Sequence, residues 1–272
     1  MLKKFTTLLL AVCLIGVYSI ASAQSLMMAT TTSTDNTGLL DYLAPKFQKD
    51  TGIELKWSAM GTGKALKFGQ DCNADILFVH APPAEKKFVN AGFGTDRTEV
   101  MYNDFVIVGP TADPAGAKGM SVTEALKTIA DKDAVFVSRG DNSGTNMKEI
   151  SLWKGSALPV PEKESWYVQS GQGMLTTINM AAEKNGYTMT DRATFIKYEA
   201  NMKGKAPLQI IVEGDKVLMN QYSVIAINKA HCPNTKYDAA KAFINWVVSP
   251  KIQQTIADFR LLGKKLFIPN AK

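Results

Sequence analysis

The sequence predicts an α/β protein built as two lobes with a cleft between them, and three observations carry that reading. Short β-rich runs alternate with helical patterns along the chain. Polar, glycine-containing turns recur where a β-rich run gives way to a helical pattern. Two β-rich runs, 105–108 and 223–227, bracket a central segment of lobe size. The composition agrees: 272 residues, 46% hydrophobic and 21% charged, are enough to bury a core. Extended disorder, a collagen repeat and a disulfide-dense scaffold are excluded.

The first element is not part of the fold. Lys3 and Lys4 precede an uncharged apolar run over residues 8–20, and Ala21, Ser22 and Ala23 form a small-residue cleavage site before Gln24. Charged, apolar and small regions in that order describe a secretory signal over 1–23. The run is short for a membrane span, so the mature chain is expected to be exported and soluble. Removing those two lysines leaves 29 basic against 25 acidic residues, a net +4. The basic residues form no run, so a nucleic-acid partner is not expected.

In the mature chain a strand at 26–30 precedes a helix beginning near Asn36, in which Leu40, Leu43, Ala44 and Phe47 fall at helical spacing and Gly52 ends the run. Strands follow at 53–57 and 74–79. A helix over 83–91 has proline near its start and Gly92 past its end. After the strand 105–108 the pattern restarts, with helices at 121–130, 143–153 and 172–184 interleaved with strands at 134–137 and 167–168. Strands at 208–212 and 223–227 lead to amphipathic helices over 237–259. Lobe I is then expected over 24–106 and 224–272, and lobe II over 107–223.

Four turns carry the chemistry, two in each lobe. Residues 29–40, ATTTSTDNTGLL, crowd hydroxyls between a strand and a helix start. Such a start leaves free N–H donors and a partial positive charge, which suits an anion. Residues 60–66, MGTGKAL, place Thr62 between two glycines after a strand. The nucleotide-binding pattern GxxxxGK[ST] fails there, because Ser58 and Ala65 stand at required positions. In residues 138–149, SRGDNSGTNMKE, Ser143 or Thr145 can cap a helix, Gly144 allows close backbone approach, and Arg139 supplies a forked cation. An ion pair of Arg139 with Asp141 is the plainer alternative. Residues 169–174, QSGQGM, repeat the arrangement around Gly173.

Together the turns present donors at strand-to-helix junctions, where open α/β sheets bind ligands. No carboxylate dyad is presented. Capture of an anion needs only donors, whereas catalysis needs a nucleophile or base poised with a partner. Binding is therefore expected, not enzyme activity, with no cofactor and no bound metal cation; HExxH and calcium-loop spacings do not occur. Cys72 and Cys232 are the cysteines left after export. They are an even pair in an oxidising compartment whose bridging the sequence leaves open.

The ordered set ATTTSTDNTGLL, GTGKAL, ADILFVHAPPAEKKFV, SRGDNSGT, SGQGM and YSVIAIN resembles the tungstate-binding periplasmic proteins of Tup-type ABC importers over nearly the whole mature chain. The resemblance implies a type II periplasmic binding protein fold, two α/β lobes around a ligand cleft. It implies a periplasmic location, a tungstate or molybdate ligand, and delivery to a membrane permease by a protein expected to be monomeric. Carried over by position, it implies Thr32, Ser33, Thr62, Arg139, Ser143 and Thr145 as ligand contacts, with N–H groups around Gly144 and Gly173. Thr31 and Thr32 are not told apart. The alternatives are a receptor for sulfate or phosphate and a secreted hydrolase using Ser33 or Ser143 with His80. Spacing gives the hydrolase no second group to orient the histidine.

Mass spectrometry of the exported protein should find its N-terminus at or near Gln24; an intact Met1 in a membrane fraction would contradict the signal reading.

Overall fold

The computed structural model describes residues 24–272, so the signal expected over 1–23 lies outside the described residues. Strand β1 (Ser25–Thr31) runs into a single helical turn, α1 (Thr32–Asp35), and then α2 (Leu39–Thr51). The expected helix from Asn36 thus starts three residues later. Gly38 at φ 76° breaks the path between α1 and α2, a left-handed conformation glycine adopts without steric cost. There follow β2 (Glu54–Met60), α3 (Thr62–Gln70), β3 (Ile76–Val79), α4 (Pro82–Asn90) and the long strand β4 (Gly94–Pro110). The central part holds α5 (Val122–Asp131), β5 (Phe136–Ser138), α6 (Gly144–Gly155), β6 (Tyr167–Gln169), α7 (Met174–Glu183), β7 (Thr188–Asp191), α8 (Arg192–Asn201) and β8 (Leu208–Val212). A 3₁₀ turn, Lys216–Leu218, leads to β9 (Met219–Ile227), α9 (Tyr237–Val247) and α10 (Pro250–Asp258). Short strands β10 (Arg260–Leu261), β11 (Lys264–Lys265) and β12 (Ile268–Pro269) close the chain.

Strand pairing divides these elements around β4. In the first lobe the sheet order is β12-β4-β9-β3-β1-β2. Here β1 is parallel to β2 and β3, and β9 is antiparallel to β3 and β4. From Phe105 onward β4 leaves β9 and pairs instead with β7 and β8. One strand therefore serves both lobes, changing partners between Asp104 and Phe105. The return crossing precedes Met219, because β9 pairs with β4 from that residue. That is a few residues earlier than 223/224: Met219, Asn220 and Gln221 do not read as a strand, yet the last two are buried in one.

Each lobe has its own core. In the first, Phe47 of α2 meets Phe243 and Trp246 of α9 edge-on, which fastens the C-terminal helices to the lobe the chain began in. In the second, Phe136, Trp153, Trp166 and Tyr167 pack together. The sequence pattern predicts neither β7 nor α8. Helix α8 buries Ala193, Thr194, Phe195, Ile196 and Tyr198, more than one face, so no apolar stripe marks it.

Cys72 and Cys232 form a disulfide with Cα atoms 5.6 Å apart, tying the end of α3 to the loop after β9. The bridge closes a loop across 160 positions. Replacing both cysteines by serine should lower stability by about 2–4 kcal/mol, read from the urea midpoint; an unchanged midpoint would show that the bridge constrains nothing.

Candidate functional site

The hydroxyl-rich end of β1 forms a hydrogen-bonded knot. Thr31 caps α1, accepting from the Thr34 N–H at 3.2 Å, and its hydroxyl lies 2.6 Å from the Thr34 hydroxyl and 3.1 Å from that of Ser33. Both Thr31 and Ser33 sit 3.1 Å from Nε2 of His80, at the end of β3. Neighbours fix the tautomer of His80. Asn220 donates its amide to Asn103 at 2.8 Å, so its oxygen faces His80 Nδ1 at 2.9 Å. Nδ1 therefore carries the proton and Nε2 accepts from a hydroxyl.

His80 is fully buried, and burial pulls its pKa down to about 4. The pairing of Ser33, His80 and Asn220 has the outline of a nucleophile, base and orienting group, so the structure supplies the orienting partner that spacing did not. Asn220 stands where a Ser-His-Asp triad places a carboxylate. Burial opposes the imidazolium more than the Asn220 oxygen supports it, and a base with so low a pKa takes a proton poorly at neutral pH.

Across the cleft, Ser143 caps α6 by accepting from the Asn146 N–H at 3.3 Å, which leaves the first-turn N–H groups of Gly144 and Thr145 beyond the reach of intrahelical acceptors. The lobes meet here. A methyl group on Gly144 would lie 2.9 Å from Thr62 Oγ1 and 3.1 Å from His80 Cε1. Thr62, first residue of α3, is buried, and its hydroxyl has no partner among the described residues. Arg139, in the loop before α6, is also buried, and its Nε likewise lacks a partner. Its Nη2 donates to Asp141 at 2.5 Å, so the plainer ion-pair reading holds together with burial. Asp141 also accepts from the Ser143 N–H at 3.1 Å, which engages both its oxygens.

The structure thus brings Ser33, Thr62, Ser143, Gly144 and Thr145 to the junction of the lobes, with Arg139 on the loop leading into it. Thr32 is exposed while Thr31 is buried in the hydroxyl knot, and Gly173 is exposed at the start of α7. His80 and Asn220 were not among the expected binding residues. The polar position directly after the apolar run ILFV was the one available signal for His80; for Asn220, across the fold on β9, there was none.

Fold and site together define a two-lobed periplasmic binding protein. A family model described as the PBP superfamily domain matches residues 19–251, and the chain belongs to that superfamily. Within it, the chain is 57% identical over 240 residues to the tungstate-binding protein TupA of Campylobacter jejuni, covering 88% of this chain and 89% of that one. It is 46% identical over 252 residues to TupA of Peptoclostridium acidaminophilum, covering 91% and 86%. The solved structure of the tungstate-binding protein TupA from Desulfovibrio alaskensis G20 is 69% identical, with a TM-score of 0.84 over 92% of this chain and all of that one.

Burial sets a pH dependence. The folded-state pKa of His80 lies below its ordinary 6.5, so the unfolded chain binds the proton more readily. The stability from keeping it neutral is complete above about pH 6.5 and is lost as pH falls toward 4, about 3 kcal/mol in all. The Cε1–H resonance of His80 should titrate near pH 4; a midpoint near 6.5 would contradict its burial.

Proposed function

We propose that this protein is the exported receptor of an ABC importer, capturing tungstate in the cleft and presenting it to a membrane permease. Molybdate, a tetrahedral dianion of the same shape, is the second ligand. The observation that supports this most is that two buried donors near the lobe junction, Thr62 Oγ1 on one lobe and Arg139 Nε on the other, have no partner among the described residues. Leaving a buried donor unpaired costs about 1–3 kcal/mol, and an oxyanion seated between the lobes removes that cost twice. The hydroxyl of Ser33 and the N–H groups of Gly144 and Thr145 complete a set of neutral donors around one guanidinium. The site as proposed needs no cofactor, and the protein performs no catalysis.

The same geometry bears on the rival anions. Hydrogen phosphate carries a proton and gains from a free carboxylate acceptor. Asp141 is engaged by Arg139 and Ser143, and Asp35 accepts from Trp57 Nε1 at 2.7 Å. A proton-free dianion fits this set better. The identities to named tungstate-binding proteins support tungstate over sulfate.

Thermal shift with tungstate, molybdate, sulfate and phosphate tests the reading, since a ligand at about 100 times its Kd stabilises by about 2.7 kcal/mol. Stabilisation by phosphate alone would overturn it. Calorimetric titration tests Arg139: Arg139→Ala should fold and weaken tungstate binding by about ten- to a hundred-fold or more, the worth of a charged hydrogen bond. Arg139→Lys should recover only part, because an ammonium lacks the planar fork. Binding by Arg139→Ala as tight as the parent's would leave Arg139 a partner of Asp141 alone.

A further inference from the structure

A carboxylate is buried in the second lobe with no role in anion capture so far. Glu149, on α6, is 2% exposed, and every side chain hydrogen-bonded to it donates. Tyr167 Oη, at 2.6 Å, and Trp153 Nε1, at 3.1 Å, both give to Oε1; Ser138 Oγ gives to Oε2 at 2.6 Å. With its proton committed to Glu149, Ser138 accepts from Asn146 Nδ2 at 3.3 Å. That turns Asn146 Oδ1 toward the backbone N–H of Asn142, which it accepts at 3.0 Å. Asn142 sits at φ 57° in the loop between Arg139 and Ser143, and Ser138 and Asn146 are 1% and 4% exposed.

We propose that Glu149 is a positioning residue for the anion site: as the acceptor of three side-chain hydrogen bonds it sets the direction of a buried hydrogen-bond relay through Ser138 and Asn146 that holds the 139–143 loop in its binding conformation. This rests on the functional reading above for the ligand, but not for the relay itself. The direction follows from counting protons. Trp153 can only donate, so a glutamine at 149 keeps its oxygen at Oε1 and turns its NH₂ toward Ser138. The Ser138 proton then turns to Asn146, whose amide flips to receive it. An NH₂ now faces the Asn142 N–H, donor against donor, and the loop loses its anchor.

Two readouts test this on the mature protein: exchange of the Asn142 amide, followed by NMR without ligand, and tungstate affinity by calorimetry. Glu149→Gln should speed Asn142 exchange and weaken tungstate binding, each by about tenfold, the value of one net hydrogen bond. Ser138→Ala cuts the relay at a milder position and should do the same; it decides the matter if Glu149→Gln does not fold. Combining the two should cost no more than Ser138→Ala alone. Tyr167→Phe removes a donor to Glu149 without reversing the relay and should leave Asn142 exchange unchanged. Unchanged Asn142 exchange in Ser138→Ala, or additive losses in the double variant, would overturn the proposal. Absence of tungstate binding by the parent would instead strike the functional reading, with the exchange comparison still deciding the relay.

Discussion

A dianion leaves water only for a site that returns hydrogen-bond donors in place of its hydration, and the rest of this structure follows from supplying them without supplying acceptors. Backbone N–H groups at helix starts and hydroxyls are the means by which a chain does so at little cost in charge. The cleft is accordingly lined at β1, α3 and α6 by such groups, with one guanidinium among them. The acceptors nearby already take hydrogen bonds from protein: Asp141 from Arg139 and Ser143, one oxygen of Asp35 from Trp57, and His80 Nε2 from one of the two hydroxyls beside it.

The two-lobed build serves the same constraint. No single helix start surrounds a tetrahedral anion, so donors come from two sides, and β4 is the continuous strand that joins them. Its change of partners at Asp104/Phe105 lies beside Asn103, which pairs with Asn220 on β9, and Asn220 in turn fixes His80 under the hydroxyl knot. Where the lobes touch, Gly144 is the residue without a Cβ to strike Thr62 and His80, so closeness of the lobes depends on glycine at that point. The same buried polar groups that the proposed function assigns to the ligand lie where the lobes approach each other.

Much of this was legible in the sequence because it is local. The strand-to-helix turns announce themselves by glycine and hydroxyl runs between apolar patterns, and the cap at Ser143 falls where SGT stands. What was hidden depends on long-range contacts. Asn220 lies 140 positions from His80, and nothing in NQYS marks it as the group that sets an imidazole tautomer. The first half of β4 mixes charged and polar residues because its exposed positions face water, so only its apolar end at 105–108 read as a strand. Thr31 and Thr32 are chemically identical, and only the bend into α1 separates the buried one from the exposed one.

The central claim is that one oxyanion is seated between the lobes by donors from both. Tungsten scatters anomalously at its L edge, so an anomalous difference map from crystals grown with tungstate locates the metal independently of any interpretation of the surrounding density. The account predicts a single strong peak between the start of α6 and the ends of β1 and β2, with its oxygens within hydrogen-bonding distance of Arg139 Nε and Thr62 Oγ1. A peak bound by one lobe alone, or one lying away from both of those donors, would contradict it.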